Sequence, residues 1–296
     1  MSVVATVKPR PRPPSLCVGG RTLSFGDRAY VMGVLNVTPD SFSDGGDYLE
    51  TSAAVDRALQ MEAAGADIID IGGESTRPGA EPVSASQELE RVLPVIESVR
   101  RQSDVWLSVD TSKSVVAAAA IDAGAQIVND ISGLGFDEAM ASTVAEADCG
   151  LVLMHIQRTP KTMQQQIAYD DLIGDIRAYF QTRLKRAQAA GIDASRVILD
   201  PGIGFGKQIA HNYRLIRELA QFSDLGHPLL IGTSRKSFIG AVLDAPTNER
   251  LWGTAATVAC SILCGADIVR VHDVDAMTDV ARVSEAICSM EGCTEQ

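Results

Sequence analysis

Short apolar runs alternate with longer amphipathic stretches along most of this chain. Eight runs read as buried strands: Tyr30–Asn36, Asp67–Gly72, Val105–Asp110, Ile127–Asp130, Leu151–His155, Val197–Asp200, Pro228–Gly232 and Asp267–His272. They are short, rich in β-branched residues and bounded by breakers, the pattern of strands covered on both faces. Between them the spacing predicts helices, among them Thr51–Gly65, Ser84–Arg101, Ser112–Gly124, Asp170–Gly191 and Asn248–Gly265. Three of these helices end in one shared signal: Gly65-Ala66-Asp67-Ile68, Gly124-Ala125-Gln126-Ile127 and Gly265-Ala266-Asp267-Ile268. Glycine there caps the helix C-terminus before the next strand begins. Ahead of the first strand, Leu16–Phe25 reads as a hairpin turning at Gly19–Gly20, placed to plug one end of the domain.

Eight such strand–helix units fit a closed barrel, with an open doubly wound sheet as the alternative. No G-x-G-x-x-G follows the first strand, which weakens the open sheet. The reading is therefore α/β, a single (β/α)8 TIM barrel with a short N-terminal β-hairpin, over residues 15–296. Residues 1–14 hold several prolines and three basic residues but no carboxylate, and read as a solvated tail. Apolar residues at 46% with 22% charged supply one sizeable core. The formal net charge of −12 argues against nucleic acid or an acidic membrane as partner. Six cysteines show no C-x-x-C spacing, and the four-apart Cys260 and Cys264 read as core thiols. The opening residues do not form a signal peptide and no long apolar run occurs, so a cytoplasmic location is expected.

In such a barrel the C-terminal strand ends hold the chemistry. Here they read Asn36, then Gly72-Gly73-Glu74-Ser75-Thr76-Arg77-Pro78-Gly79, Asp110, Asn129-Asp130, His155, Asp200, Ser234-Arg235-Lys236 and Arg270–His272. One polar ending can be a satisfied cap; polar endings at most of eight strands point to a ligand. Asp110, Asn129 and Asp200 offer acceptors and an amide, and Lys236 offers a cation, a set suited to a flat amino-substituted heterocycle with a carbonyl. Arg77, Arg270 and His272 form a cationic group with the hydroxyls of Ser75 and Thr76, suited to phosphate. Asn36 could offer its side-chain oxygen to a hard cation shared with that phosphate. A heterocycle bearing a diphosphate, with Mg2+ assisting its departure, satisfies all three.

Other polar positions have plainer readings. His155 is expected to be packed or hydrogen-bonded rather than catalytic, and Asp130 could cap a helix as readily as touch ligand. Gly202–Lys207 lacks P-loop spacing, and its glycines let Phe205 approach a ring. No function is assigned to His211 or His227.

The motifs NVTPDSFSDGG, GGESTRPGA, SVDT, VNDISG, DPGIGFGK, GTSRKSFIG and RVHD, in this order, closely resemble dihydropteroate synthase from about Leu16 to Ala286. The resemblance implies a (β/α)8 barrel and a folate-biosynthesis transferase. It would condense 6-hydroxymethyl-7,8-dihydropterin diphosphate with 4-aminobenzoate, giving 7,8-dihydropteroate and diphosphate. By position it assigns the pterin to Asp110, Asn129, Ile131, Met154, Asp200, Phe205 and Lys236. The diphosphate falls to Asn36 (with Mg2+), Thr76, Arg77, Arg270 and His272, and the aminobenzoate to Phe42, Thr76, Arg77, Pro78, Phe205, Lys236 and Ser237. Asn36, Asp110, Lys236, Arg270 and His272 are the expected catalytic set. Loops near Val37–Tyr48 and Glu74–Pro82 are expected to close over the site. A homodimer is implied by the resemblance alone. Ile203 stands where many members carry an aromatic residue, and Arg158 replaces a smaller one; both bear on inhibitor fit.

Two rivals remain. A pterin-binding methyltransferase of the same barrel superfamily would share Asp110, Asn129 and Asp200 but has no use for Thr76, Arg77, Arg270 and His272. A silent paralogue would bind pterin without turnover, which sits poorly with Asn36, Phe42, Arg77 and Lys236 all in place.

Overall fold

The computed structural model describes residues 12–38, 46–76 and 79–288. A two-stranded hairpin opens it, β1 (Leu16–Val18) and β2 (Arg21–Leu23), with the turn at Gly19–Gly20 in left-handed backbone. Eight parallel strands follow: β3 (Tyr30–Asn36), β4 (Ile68–Gly72), β5 (Trp106–Asp110), β6 (Ile127–Asp130), β7 (Gly150–Met154), β8 (Val197–Asp200), β9 (Leu230–Ile231) and β10 (Ile268–Val271). They hydrogen-bond in the order β8-β7-β6-β5-β4-β3-β10-β9. A parallel bridge between Leu199 and Leu229 joins the two ends, so the sheet closes into the expected barrel.

The helices between strands are α1 (Gly46–Ala63), α2 (Ala85–Arg100), α3 (Ser114–Asp122), α4 (Met140–Glu146), α5 (Leu172–Ala189), α6 (Ile209–Arg217), α7 (Ser237–Leu243), α8 (Leu251–Leu263) and α9 (Val274–Cys288). The expected helices are all present. Of the shorter ones the periodicity did not single out, α4 and α7 span only two turns, too little for an amphipathic repeat to stand out. The start of α2 is fixed by a capping box: Ser84 Oγ accepts from Gln87 N at 3.2 Å, and Gln87 Oε1 accepts from Ser84 N at 3.0 Å.

Strand parity divides the apolar residues into two cores. One set faces the helices: Val31, Ile69, Leu107, Val128, Leu151, Val197, Ile231 and Val269, among others. The alternate set faces the barrel axis: Met32, Ile68, Trp106, Ile127, Val152, Ile198, Leu230 and Ile268. Leu16, Val18, Leu23 and Phe25 of the hairpin segment pack onto this inner set, so the hairpin does plug the N-terminal end. With the bottom sealed by hydrocarbon, polar residues of the same parity higher up the strands share a cup that opens only at the C-terminal mouth.

The repeated glycine signal works as expected: Gly65, Gly124 and Gly265 have φ of +101°, +111° and +106°. A Cβ on Gly65 would meet Thr278 Cγ2 at 2.8 Å, whereas one on Gly265 meets nothing within 4 Å. Gly265→Ala therefore incurs backbone strain alone, about 1–2 kcal/mol, and Gly65→Ala incurs that plus a steric clash. Chemical denaturation should show the larger loss for Gly65→Ala; equal losses would mean that Thr278 yields freely.

Candidate active site

The inward parity of the strands brings one acidic residue from each of β4, β5 and β8 together with a guanidinium from β10. Asp70 on β4 is fully buried and accepts two bonds at Oδ2, from Asn129 Nδ2 at 2.9 Å and from Arg270 Nε at 2.6 Å. Arg270 also donates through Nη2 to Asp110 Oδ2 at 2.8 Å. Asp110 and Asn129 are direct partners in the β5–β6 register, so both project side by side into the cup. Across the mouth, Asp200 accepts from Gly202 N at 2.7 Å. The Lys236 ammonium donates to Ile203 O and lies 4.8 Å from the Phe205 ring centroid. Ile131 and Met154 pack with Ile156, Met163 and Phe205 into a separate apolar cluster along this wall.

Removal of water sets the charge states here. Burial pushes Asp110 up to about 7; Arg270 opposes this, while Asp70, Glu88 and Asp130 add to it. Burial likewise raises Asp200, with Lys236 pulling the other way. Lys236 is brought down to about 8 by burial and the nearby Arg270, against the pull of Asp200 and Asp110. His272 falls to about 4 through burial and the cations Arg270 and Arg235, so it is neutral at pH 7. Ser234 Oγ accepts from His272 N at 3.2 Å and lies 3.0 Å from its Nδ1, which fixes the ring.

Two cavities open at this end of the barrel. One, of about 420 Å³, is lined by Asn36, Arg57, Gln60, Arg235 and His272 together with Val34, Leu35, Ala53 and Met61. The other, of about 310 Å³, is lined by Asp110 and includes Ser75, Thr76, Lys113, Ile131 and Phe136. Ser75 and Thr76 thus line the second cavity, whereas Asn36 and His272 line the first. The reason is an ion-pair cluster: Lys113 bridges Glu74 and the buried Glu88, and Lys161 pairs with Glu81 at 2.8 Å, drawing the loop after β4 toward β5 and β7. Ser237 is exposed at the start of α7. Phe42, Arg77 and Pro78 lie outside the described residues.

The remaining polar residues resolve into structural roles. Asp130 accepts from Ser132 N and Leu134 N at 2.8 and 2.6 Å, shaping the turn after β6. His155 is buried, accepts from Lys207 Nζ at 2.9 Å and packs edge-on to Tyr179 at 4.7 Å. Lys207 also donates to Phe205 O at 3.0 Å, so this buried lysine braces the loop that presents Phe205. His211 and His227 serve local hydrogen bonds at Gln208 N and Val197 O. Ile203 is fully buried, and its role toward Lys236 runs through its backbone carbonyl. Arg158 sits in left-handed backbone with its side chain 3.3 Å from Gln166. Cys17, Cys149, Cys260, Cys264 and Cys288 are free thiols, and no group of three or more metal-ligating side chains occurs among the described residues.

Asp70 was not anticipated. It lies two residues before the end of β4, away from the polar strand ends that mark the mouth. A carboxylate in mid-strand between Ile69 and Ile71, with the inward parity of Ile68, was the available signal.

The pterin binding enzyme family matches residues 32–272 of this chain. The dihydropteroate synthase of Synechocystis sp. is 49% identical over 276 residues, spanning 93% of this chain and 96% of the relative. Among solved structures, the Yersinia pestis dihydropteroate synthase in a sulfonamide drug complex superposes with a TM-score of 0.87 at 46% identity, covering 92% of this chain and 98% of that one. The Xanthomonas albilineans dihydropteroate synthase with 4-aminobenzoic acid gives a TM-score of 0.87 at 42% identity, covering 94% and 99%.

The charge of Asp70 raises Asp110 and also competes with it for Arg270. Asp70→Asn removes both influences, and each change favours the ionised form of Asp110. Carboxyl-carbon NMR should find Asp110 titrating near 7 in the unaltered protein and clearly lower in Asp70→Asn. An unmoved midpoint would show that the two carboxylates are not coupled through Arg270.

Proposed function

This chain belongs to the dihydropteroate synthase family of pterin-binding enzymes, and we propose how its barrel mouth divides the reaction. The reaction is a transferase step of folate biosynthesis that joins 6-hydroxymethyl-7,8-dihydropterin diphosphate to 4-aminobenzoate, releasing diphosphate. The supporting observation is the shared wall: Arg270 spans Asp70 and Asp110 on the ring side, while His272, two residues on, lines the cavity with Asn36.

In this reading Asp110, Asn129 and Asp200 accept from the pterin N–H groups. Lys236 turns from Ile203 O to the ring carbonyl, and Ile131, Met154 and Phe205 cover the ring faces. Arg270 commits two N–H groups to carboxylates and keeps the rest for the leaving phosphate. Neutral His272 donates or accepts there without adding charge. Thr76 and Arg77 complete the diphosphate set when the loop after β4 closes over the substrate, and Phe42, Pro78 and Ser237 the aminobenzoate pocket. Loss of diphosphate leaves a cation delocalised into the electron-rich ring. The low-dielectric cup and closing loops keep water from it until the arylamine attacks the methylene. Positioning, rather than a strong base, accounts for most of the second step.

Asn36 offers a single neutral oxygen, which fits Mg2+ as that ion is commonly held, with several waters and the phosphates completing its shell. Bound there, Mg2+ would neutralise charge on the departing diphosphate. A homodimer is supported by apolar exposure at the end of α7 and the start of α8, where Val242, Leu243 and Trp252 are 66%, 48% and 79% exposed. No described helix is long and apolar enough to cross a membrane, in keeping with a cytoplasmic enzyme.

Incubation with the pterin diphosphate, 4-aminobenzoate and Mg2+ should yield dihydropteroate; no product would overturn the reading. Arg270→Ala should lower kcat/KM for the pterin diphosphate by about 30- to 1,000-fold, the equivalent of ~2–4 kcal/mol of lost leaving-group stabilisation. Unaltered kinetics in that variant would place the phosphates elsewhere.

A further inference from the structure

The cavity beside Asn36 and His272 has a third wall that the reaction as described leaves unused. On α1, Ala53, Arg57, Gln60 and Met61 fall at intervals of four, three and one, so they share one helix face, and all four line the cavity. Ala53 is small enough to leave the space open, and Arg57 extends over it to donate from Nη2 to His272 O at 3.4 Å. The other arginine of the cavity, Arg235, is already engaged by Asp273, with Nε at 2.9 Å from a carboxylate oxygen. His272 is neutral at pH 7. Among the described residues no carboxylate lies within ion-pair distance of Arg57, and the other polar groups that line the cavity are neutral or paired. Arg57 is exposed to solvent, and one of its N–H groups lies against the carbonyl of a residue assigned to the leaving group.

We propose that Arg57, with Gln60 beside it, is an additional diphosphate-binding position, holding the outer phosphate of the pterin substrate and the released diphosphate on its way out. The inference rests on the reading of the mouth given above and adds a contact from α1 to it. It assigns specificity for a diphosphate over a shorter or uncharged leaving group to a helix that touches neither the ring nor the aminobenzoate.

The experiment compares the unaltered protein with Arg57→Ala, Arg57→Glu and Arg57→Lys, all at an exposed position where folding is not at stake. Calorimetric binding of inorganic diphosphate, with Mg2+ present, is measured beside steady-state kinetics. Arg57→Ala should weaken diphosphate and raise KM for the pterin diphosphate about fivefold, Arg57→Glu about tenfold or more, with Arg57→Lys close to the unaltered protein. The losses should shrink at high salt, as expected for a half-solvated charge pair. KM for 4-aminobenzoate and the affinity for phosphate-free 6-hydroxymethylpterin should stay within about twofold, since neither ligand carries a phosphate for a guanidinium to hold. Unchanged diphosphate affinity in Arg57→Glu, or an equal loss of phosphate-free pterin, overturns the proposal. If the unaltered protein makes no dihydropteroate, the reading of the mouth fails instead, and the calorimetric comparison still reports on Arg57.

Discussion

The site depends on a guanidinium held between two carboxylates where little water reaches. Arg270 is anchored by Asp70 at 2.6 Å and by Asp110 at 2.8 Å, and Asp70 also fixes the Asn129 amide. An arginine buried alone would be prohibitively unstable, as would either carboxylate; together they form a charge-assisted network with defined geometry. The network does not use up its members. Asp110 retains acceptor capacity, and Arg270 retains donors, on opposite sides of the same link. A ring and a phosphate can therefore be bound next to each other by groups that position one another.

The barrel makes this arrangement reachable. Apolar residues of inward parity and the hairpin fill the lower half, so the polar residues above cannot be hydrated from below. Desolvation then raises Asp110 and Asp200 and lowers Lys236 and His272, bringing the titrating groups toward neutrality in the absence of ligand. A ligand that brings N–H donors to Asp110 and Asp200 and a carbonyl to Lys236 favours their charged forms by binding, and part of its recognition is this electrostatic completion. The bracing of Phe205 by the buried Lys207 and His155 pair keeps the apolar wall in place while the charged wall titrates.

Much of this was legible in the chain. Strand number, hairpin and helix caps follow from period and glycine placement, and the polar residues at the ends of β5, β6, β8 and β10 do share one mouth. Three features were not legible, each for a physical reason. Asp70 sits in mid-strand, where a carboxylate has meaning only once its partner from β10, 200 positions away, is known. Lys207 at the end of a glycine-rich loop looks solvated until the loop folds back on His155. The lean of Ser75 and Thr76 toward Lys113 arises from ion pairs among Glu74, Glu88 and Lys113 that come from three elements, and no local pattern encodes it.

The most direct measurement is diffraction from crystals soaked with the pterin diphosphate and Mg2+ but without the arylamine. The ring should lie within hydrogen-bond distance of Asp110, Asn129 and Asp200, with Arg270 still joined to Asp70 and the phosphates between Asn36 and His272. Phosphates found beside Lys113, with Asn36 and His272 untouched, would contradict the account.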